Sequence, residues 1–343
     1  MEKQKRIYFL DNVCGLLIIQ VILGHQVSFC GYRNICCDYI YITLSFFMFW
    51  FFFKGGMMFK DRNVMDTFKS SAKRLLLPYF VFLIIGLLCE AYFNSQQQVP
   101  ASFSLFLKTR LLEIVDKSTL EAVSPCWFLL SLFVVRVVFQ MCVKLKISPI
   151  LLAVVSLVVA YLVYYCSVLH DYSYSLQWGD GHCWNLHLPY YLGNMSLGLM
   201  CYSLGYVLRD KQFSRWIVYV TFLLFVAKYF VWAELDFRAD NPWGTNYWLA
   251  TLYGVSGCVV FNNLFRRIAA KRIPVLTNIG ENSMIYYLVH WPVMYFITQR
   301  FYGSVFDLSP EVRFAVLSSI LVFVLWLSGL LFRNKKFGFL FGM

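Results

Sequence analysis

The chain has 343 residues, of which 60% are hydrophobic and only 14% are charged, and its mean hydropathy is +0.62. Soluble domains lie closer to half apolar and about one quarter charged, so this excess excludes burial in one water-soluble core. The net charge of +12 would suit nucleic-acid binding unless membrane topology accounts for it.

Ten segments reach or approach the roughly 20 apolar residues that a membrane-spanning helix needs. In chain order they are 8–29, 39–59, 76–93, 125–143, 149–167, 188–208, 215–233, 246–265, 282–299 and 313–332. The stretch 101–116 is amphipathic and is expected at a membrane interface. The sequence therefore predicts an all-α, polytopic integral membrane protein with about ten transmembrane helices. No repeat or linker divides it, so we expect a single domain over 1–343, without an appended soluble domain.

The basic residues alternate from loop to loop along these predicted spans. Twenty Lys and Arg residues fall on one set of loops and only seven on the other. The basic-rich set includes the residues before the first span and those after the last, which places both termini in the cytoplasm. Topology thus explains the positive charge, so the lipid bilayer is an expected partner and nucleic acid is excluded.

The loops predicted to lie outside have a different character. Residues 168–188 contain no Lys or Arg, and 233–247 combine carboxylates with Trp243 and Tyr247. Aromatic faces beside carboxylates and amides suit carbohydrate, because rings stack on sugar C–H faces while hydroxyls need hydrogen-bond partners. The alternative is an aromatic belt at the membrane interface, which has the same composition.

The cysteines and histidines of these loops were considered as disulfides and metal ligands. Most of the eleven cysteines lie in apolar runs without a CxxC pair, which is typical of small core residues. A disulfide stays open among the cysteines predicted outside, which are Cys30, Cys36, Cys37 and Cys183. One polar cluster matches no familiar zinc spacing, so we predict no metal site there; its members are Asp180, His182, Cys183 and His187.

Ionisable side chains inside spanning helices cost roughly 3 kcal/mol or more unless paired or hydrated, so each is a functional candidate. The predicted spans contain Asp11, His25, Lys54, Glu90, Arg136, Lys228 and His290. Structural roles are expected for Asp11 and Glu90 near helix ends, and for Lys228, which can extend to the interface. Arg136 lies mid-helix, where its guanidinium needs a partner, either Glu90 or a phosphate of a ligand.

His25 lies in the half of the first span that is predicted to face outward. A neutral imidazole can take a proton from a hydroxyl group and release it later. Gly24 beside it lets another group approach the backbone closely. The alternative is a histidine that only hydrogen-bonds between helices.

Five segments carry a resemblance to a known family. They are Arg6–His25, Phe46–Lys60 with its aromatics and glycines, Arg74–Phe80 with Pro78, Trp127–Phe133, and Ile279–Pro292 with Ser283 and His290. In this order, over nearly the whole chain, they resemble the acyltransferase-3 family of membrane O-acyltransferases that modify polysaccharides and related sugars. The resemblance implies that His25 is the catalytic histidine.

One position departs from the family pattern. The family usually has Arg or Lys eleven residues before the histidine, where this chain has Cys14. Eleven residues of helix rise about 16 Å, so this position lies on the His25 face but deeper toward the cytoplasm. Lys54 is predicted at a comparable depth, so one hypothesis moves the cation to the second span, and the alternatives are a snorkelling lysine, a changed donor or an inactive member.

The other candidates follow from the matched motifs and the buried charges. His290 shares a helix face with Ser283 and is expected to orient His25, to bind the acceptor or to pair with another helix. The proposed substrate- and donor-binding residues are Asp11, Lys54, Arg136, Trp127, Ser283 and Arg74. No bound cofactor is expected, and the resemblance implies acyl-CoA, with acetyl-CoA as the default, as co-substrate.

The sequence therefore predicts an acyl-CoA-dependent O-acyltransferase that acts on a sugar or polysaccharide hydroxyl. The family's usual setting implies the bacterial inner membrane, and a homo-oligomer stays open. Two other classes remain: a transporter or flippase of lipid-linked sugars, although no paired broken-helix repeats are seen, and a catalytically impaired family member that retains only a scaffold role.

Overall fold

The computed structural model describes residues 7–32, 34–166, 174–177, 183–186, 188–209, 213–231, 247–301, 307–332 and 335–342. For 41, 42, 174–177, 183–186, 188–191, 228, 231, 335 and 336 it describes the backbone alone. The predicted all-α class holds across these ranges, apart from one short β-hairpin that pairs β1 (Tyr174–Gln177) antiparallel with β2 (Cys183–Leu186).

The helices follow one another with short connections. They are α1 (Tyr8–Cys30), α2 (Ile35–Leu44), α3 (Phe47–Met57), α4 (Val64–Ser71), a π-helix (Ala72–Leu76), α5 (Leu77–Ser95), α6 (Phe103–Lys117), a 3-10 turn (Glu121–Cys126), α7 (Trp127–Lys144), α8 (Pro149–Tyr164), α9 (Leu188–Leu208), α10 (Arg215–Val231), α11 (Tyr247–Ile268), α12 (Pro274–Glu281), α13 (Ser283–Arg300), α14 (Pro310–Phe332), α15 (Lys335–Gly338) and a second 3-10 turn (Phe339–Phe341).

Five helical stretches of the described chain are long and apolar enough to cross a membrane. They are Tyr8–Cys30, Val64–Ser95, Phe103–Lys144, Tyr247–Ile268 and Pro310–Phe332. Shorter apolar helices lie at Pro149–Tyr164, Leu192–Leu208 and Arg215–Ala227. This content is that of a multi-pass membrane protein. The count of ten spans and the side on which the termini lie stay predictions.

The second predicted span, 39–59, is divided into two helices. α2 ends at Leu44 and α3 begins at Phe47. The Tyr253 hydroxyl donates a hydrogen bond to the carbonyl of Thr43 at 2.9 Å, so a side chain uses an acceptor of the helix ladder at the break. Phe46 is fully buried there, with its ring 4.8 Å from that of Phe261. The break therefore has a packing cause that hydropathy does not reveal.

Glycines bring neighbouring helices into backbone contact. A Cβ on Gly56 would collide with the carbonyl of Tyr202, and one on Gly205 with the carbonyl of Phe53, so α3 and α9 cannot separate to admit larger side chains. A Cβ on Gly15 would collide with the carbonyl of Leu276, which fixes α1 against α12. Such close approach is the usual reason for small residues at helix interfaces in membranes.

Asn12 anchors the start of α1 to the segment that precedes α12. Its side-chain amide donates to the carbonyls of Ala269 and Lys271, both at 2.9 Å, and its oxygen accepts from the Thr277 hydroxyl at 2.6 Å. Asn12 and Thr277 are completely buried. This network fixes the position of α1, and with it the helix that carries His25.

Candidate active site

His25 of α1 and His290 of α13 form a hydrogen-bonded pair. His25 Nδ1 lies 2.9 Å from His290 Nε2, and the two rings are almost coplanar, with an angle of 2° between their planes. His290 has no solvent exposure, whereas His25 is half-buried. We call the part of the bundle around this pair the histidine end.

The backbone decides which nitrogen of each neutral ring carries the proton. His290 Nδ1 lies 3.1 Å from the carbonyl of Tyr286, one helical turn earlier. A carbonyl only accepts hydrogen bonds, so His290 Nδ1 must donate, which leaves its Nε2 as an acceptor. That acceptor faces His25 Nδ1, so His25 donates through Nδ1 and carries its ring lone pair on Nε2. The arrangement therefore makes His25 Nε2 the basic atom of the pair.

A short 3-10 turn holds the aromatic residues around this pair. Trp291 meets the His25 ring edge-on, with 4.7 Å between centroids, and its Nε1 donates to the carbonyl of Glu121 at 2.7 Å. The Tyr287 hydroxyl donates to the carbonyl of Pro125, also at 2.7 Å. Two carbonyls of the turn Glu121–Cys126 therefore orient α13 at the level of the histidines.

The turn is held in its own place by a buried carboxylate. Glu90 Oε1 accepts from the backbone amide of Ala122 at 2.8 Å, and Glu90 Oε2 forms an ion pair with Arg110 Nε at 2.9 Å. Arg110 also pairs with Glu113 at 2.5 Å. The partner of Glu90 is thus Arg110, and not Arg136 as one sequence alternative had it. Arg110 comes from the amphipathic stretch 101–116, which had not been assigned a function.

Arginines gather at the opposite end of the same helices. Arg136 donates a hydrogen bond to the hydroxyl of Tyr202, and Arg74 lies within electrostatic range of both Arg136 and Arg62. We call this group, Arg62, Arg74, Arg136 and Tyr202, the arginine end. Like charges repel one another at this spacing, so the cluster favours an anion.

Two local features position the arginine end. Arg74 lies in the π-helix Ala72–Leu76, a rare conformation that is frequent at functional sites. Gln140 is completely buried on α7, where its oxygen accepts from the Thr67 hydroxyl at 3.1 Å and from the Arg62 amide at 3.2 Å. Its amide donates to Asp61 at 2.8 Å, and Lys144 lies equally close to Asp61.

The pKa of Asp61 is lowered by these contacts, first by the hydrogen bond from Lys144 and then by that from Gln140. Asp61 is therefore ionised in the folded protein throughout the neutral range. The loop that carries Arg62 is thus tied to α7 by a charged network outside the membrane.

Cys14 and Lys54 lie where the sequence predicted them, but neither is linked directly to the histidines. Cys14 is buried in the apolar core at 2% exposure. Lys54 Nζ lies 5.5 Å from the centre of the Trp50 ring. The neighbouring Gly55 packs against the ring of Tyr202, so the backbone of Lys54 borders the arginine end. Whether Lys54 replaces the cation missing at position 14 stays a prediction.

The remaining candidates are dispersed. Ser283 begins α13, about 10 Å along the axis from His290, and Trp127 begins α7 directly after the 3-10 turn. The carbonyl of Asp11 faces Gly280, so Asp11 belongs to the contact between α1 and α12. The structure thus brings together His25 with His290, and Arg74 with Arg136.

Some functional residues had no assigned role in the sequence analysis. Trp291 follows His290 directly, and Tyr286 is one helical turn before it, but sequence gives no sign that its carbonyl fixes a tautomer. Glu90 was visible as a buried charge. Its partner was not, because Arg110 lies on a different kind of helix.

The described residues contain no group of three His, Cys, Asp or Glu side chains that could hold a metal ion. Asp180, His182 and His187 lie outside the described residues, as does the side chain of Cys183. Cys30, Cys36 and Cys37 are free thiols.

Comparison with known proteins identifies the family. The Acyl_transf_3 model, described as an acyltransferase domain, matches residues 7–333, nearly the whole chain. No curated protein and no solved structure gives a significant match. The matched range contains the histidine pair and the arginine end, and it confirms the resemblance drawn from the five sequence motifs. The chain therefore belongs to the acyltransferase-3 family of membrane acyltransferases.

Proposed function

We propose that this protein is an O-acyltransferase that moves an acyl group from acyl-CoA to a sugar hydroxyl, with His25 as the general base. The observation that carries the proposal is the chain Tyr286 carbonyl, His290, His25, in which each hydrogen bond fixes the next. It supports a base at His25 Nε2, and the positive charge that develops on His25 faces the lone pair of His290 Nε2.

The reaction balances with these groups. The acceptor hydroxyl gives its proton to His25 Nε2 while its oxygen attacks the thioester carbonyl carbon. The C–S bond then breaks, and the leaving thiolate takes the proton from His25 to give free CoA. Direct transfer and transfer through an acyl-enzyme both satisfy this balance, and His25 holds the proton in either case.

The donor is proposed to enter from the arginine end and the acceptor from the histidine end. Phosphate groups suit the guanidinium groups of Arg74 and Arg136, and the loop charges favour a cytoplasmic position for that end. The same rule supports ten spans with both termini in the cytoplasm. Acetyl as the acyl group, a surface or exopolysaccharide precursor as the acceptor, and the bacterial inner membrane are proposed from the family resemblance.

Reconstitution in sealed proteoliposomes tests the function. Radiolabelled acetyl-CoA is supplied on one side and candidate lipid-linked or free sugars on the other, for the wild type and His25→Ala. We expect label in the acceptor with the wild type, and a rate at least ~100-fold lower with His25→Ala, because removing a general base costs roughly 10²–10⁴-fold. Sugar that crosses the membrane without label would support a transporter. An unlabelled acceptor with intact CoA binding would support an impaired member.

A further inference from the structure

A narrow crevice opens between α3 and α11, on the side of α3 away from the histidine pair. Phe53 and Met57 of α3 line one wall, Phe213 lies in front of α10, and Asn262 and Arg266 of α11 line the other wall. The crevice encloses about 230 Å³ including its open mouth. The mechanism described above assigns no role to it.

Asn262 is an anomaly in this crevice. Its side chain is 4% exposed, and neither its Oδ1 nor its Nδ2 has a hydrogen-bond partner in the part of the chain that the structure describes. A buried amide without partners is destabilising, and native proteins satisfy such groups with protein, water or ligand. The crevice therefore presents one donor and one acceptor that a bound molecule can use.

Arg266 marks the mouth of the crevice. It is one helical turn after Asn262, about 6 Å along α11 toward the end of the helix. Its guanidinium lies 5.2 Å from the centre of the Phe9 ring, and its Nη2 donates to the carbonyl of Arg209 at 2.6 Å. Arg266 is thus held in place without a carboxylate among its described contacts, and its positive charge stays uncompensated there.

We propose that this crevice binds the pantetheine arm of the acyl donor, with the Asn262 amide pairing one of its secondary amides. The proposal rests on the acyl-CoA-dependent function given above. Pantetheine is a thin, uncharged chain that carries two amides, each with one N–H and one carbonyl. An Asn side chain offers the complementary acceptor and donor. The charged nucleotide of the donor has to stay at the rim, because charge is costly in the membrane interior, and Arg266 lies at that rim.

The route that follows is consistent with the packing of α1. Phe9, beside Arg266, is sixteen residues before His25, which is about 24 Å of helix. A donor that enters at Arg266 and passes Asn262 therefore extends along α1 toward the histidine pair. The crevice sets the start of that path.

Binding of donor fragments tests the proposal. The purified protein is titrated with CoA and with 3′-phospho-ADP, which lacks the pantetheine arm, for the wild type, Asn262→Leu and Asn194→Leu. Asn194 is the matched control, because it is 1% exposed on α9 and its Oδ1 also has no partner in the described chain. Leucine removes a buried unpaired amide at both sites, so thermal unfolding should show no loss of stability.

We expect Asn262→Leu to weaken CoA binding about tenfold, the effect of losing two hydrogen bonds, and to leave 3′-phospho-ADP binding unchanged. Asn194→Leu should change neither. Equal CoA affinity for Asn262→Leu and the wild type would overturn the proposal and assign the amide to a buried water. An equal loss for both ligands would overturn it as well, because the crevice would then recognise the nucleotide. A wild type that binds no CoA contradicts the proposed function too, whereas the preceding two outcomes contradict the crevice alone.

Discussion

The two ends of the helix bundle differ in how their polar groups are satisfied. At the histidine end, His290, Trp291, Tyr287 and Glu90 each have a defined hydrogen-bond partner, and several of these partners are backbone groups. At the arginine end, Arg62, Arg74 and Arg136 lie near one another, and the Asn262 amide has no partner in the described chain. The first arrangement is organised before any ligand arrives, whereas the second is completed by one.

This difference has a physical reason in the proposed reaction. A base must already hold the correct tautomer when the hydroxyl arrives, and hydrogen bonds from the backbone fix it without any cost during the reaction. A donor with several negative charges instead gains binding energy from cations that repel one another before it binds. Mutations at the histidine end should therefore change kcat, and mutations at the arginine end should change KM for the donor.

The largest effect is expected from His290→Phe. The ring volume is kept, but the acceptor for His25 Nδ1–H is lost, so His25 no longer has a fixed tautomer. We expect kcat to fall roughly 10²–10⁴-fold, with CoA affinity within about twofold of the wild type. Initial rates of label transfer and equilibrium CoA titration measure the two quantities. An unchanged kcat would show that the histidine pair has only a structural role.

A smaller effect is expected from Arg136→Gln. Removal of one guanidinium from the arginine end should raise KM for acetyl-CoA about tenfold, the value of one hydrogen bond to a charged group, and leave kcat within about twofold. Tyr202→Phe is the matched control, since it removes the hydroxyl partner of Arg136 and keeps the cation. A fall in kcat without a change in KM would contradict the division between the two ends.

The smallest effect is expected from Glu90→Gln. Glutamine retains an acceptor for the Ala122 amide but loses the charge that pairs with Arg110, so the 3-10 turn stays in place with a weaker tie to α6. We expect kcat to fall only a few-fold, whereas Glu90→Ala, which also loses the acceptor, should cost roughly ten times more. If both variants transfer acyl groups equally fast, the turn does not position Trp291 for the reaction.

The sequence was sufficient for the class of fold and for the two histidines. Hydropathy identified long apolar helices because the bilayer imposes a minimum length, and the buried ionisable residues were few enough to name one by one. His25 and His290 were both identified as candidates for this reason. Their direct contact was not predicted, because it depends on the packing of α1 against α13 and not on any periodicity.

Three features were beyond sequence reasoning for related causes. The break between α2 and α3 depends on Tyr253, which is about two hundred residues away. Glu90 has Arg110 as its partner, although Arg136 was equally plausible from its depth in the membrane. The unpaired Asn262 looked like any polar residue in an amphipathic helix until its surroundings were known. Long-range packing decides all three.

The tautomer of His25 is the claim that can be measured most directly. The chain contains five histidines, so ¹⁵N spectra of histidine-labelled protein in lipid bilayers are simple, and His25→Ala identifies the signals of His25 by their loss. At neutral pH we expect His25 to show a protonated Nδ1 and an unprotonated Nε2, and His290→Phe to remove this preference. A spectrum in which His25 carries its proton on Nε2 would contradict the account, because the ring could not accept a proton from the acceptor at that atom.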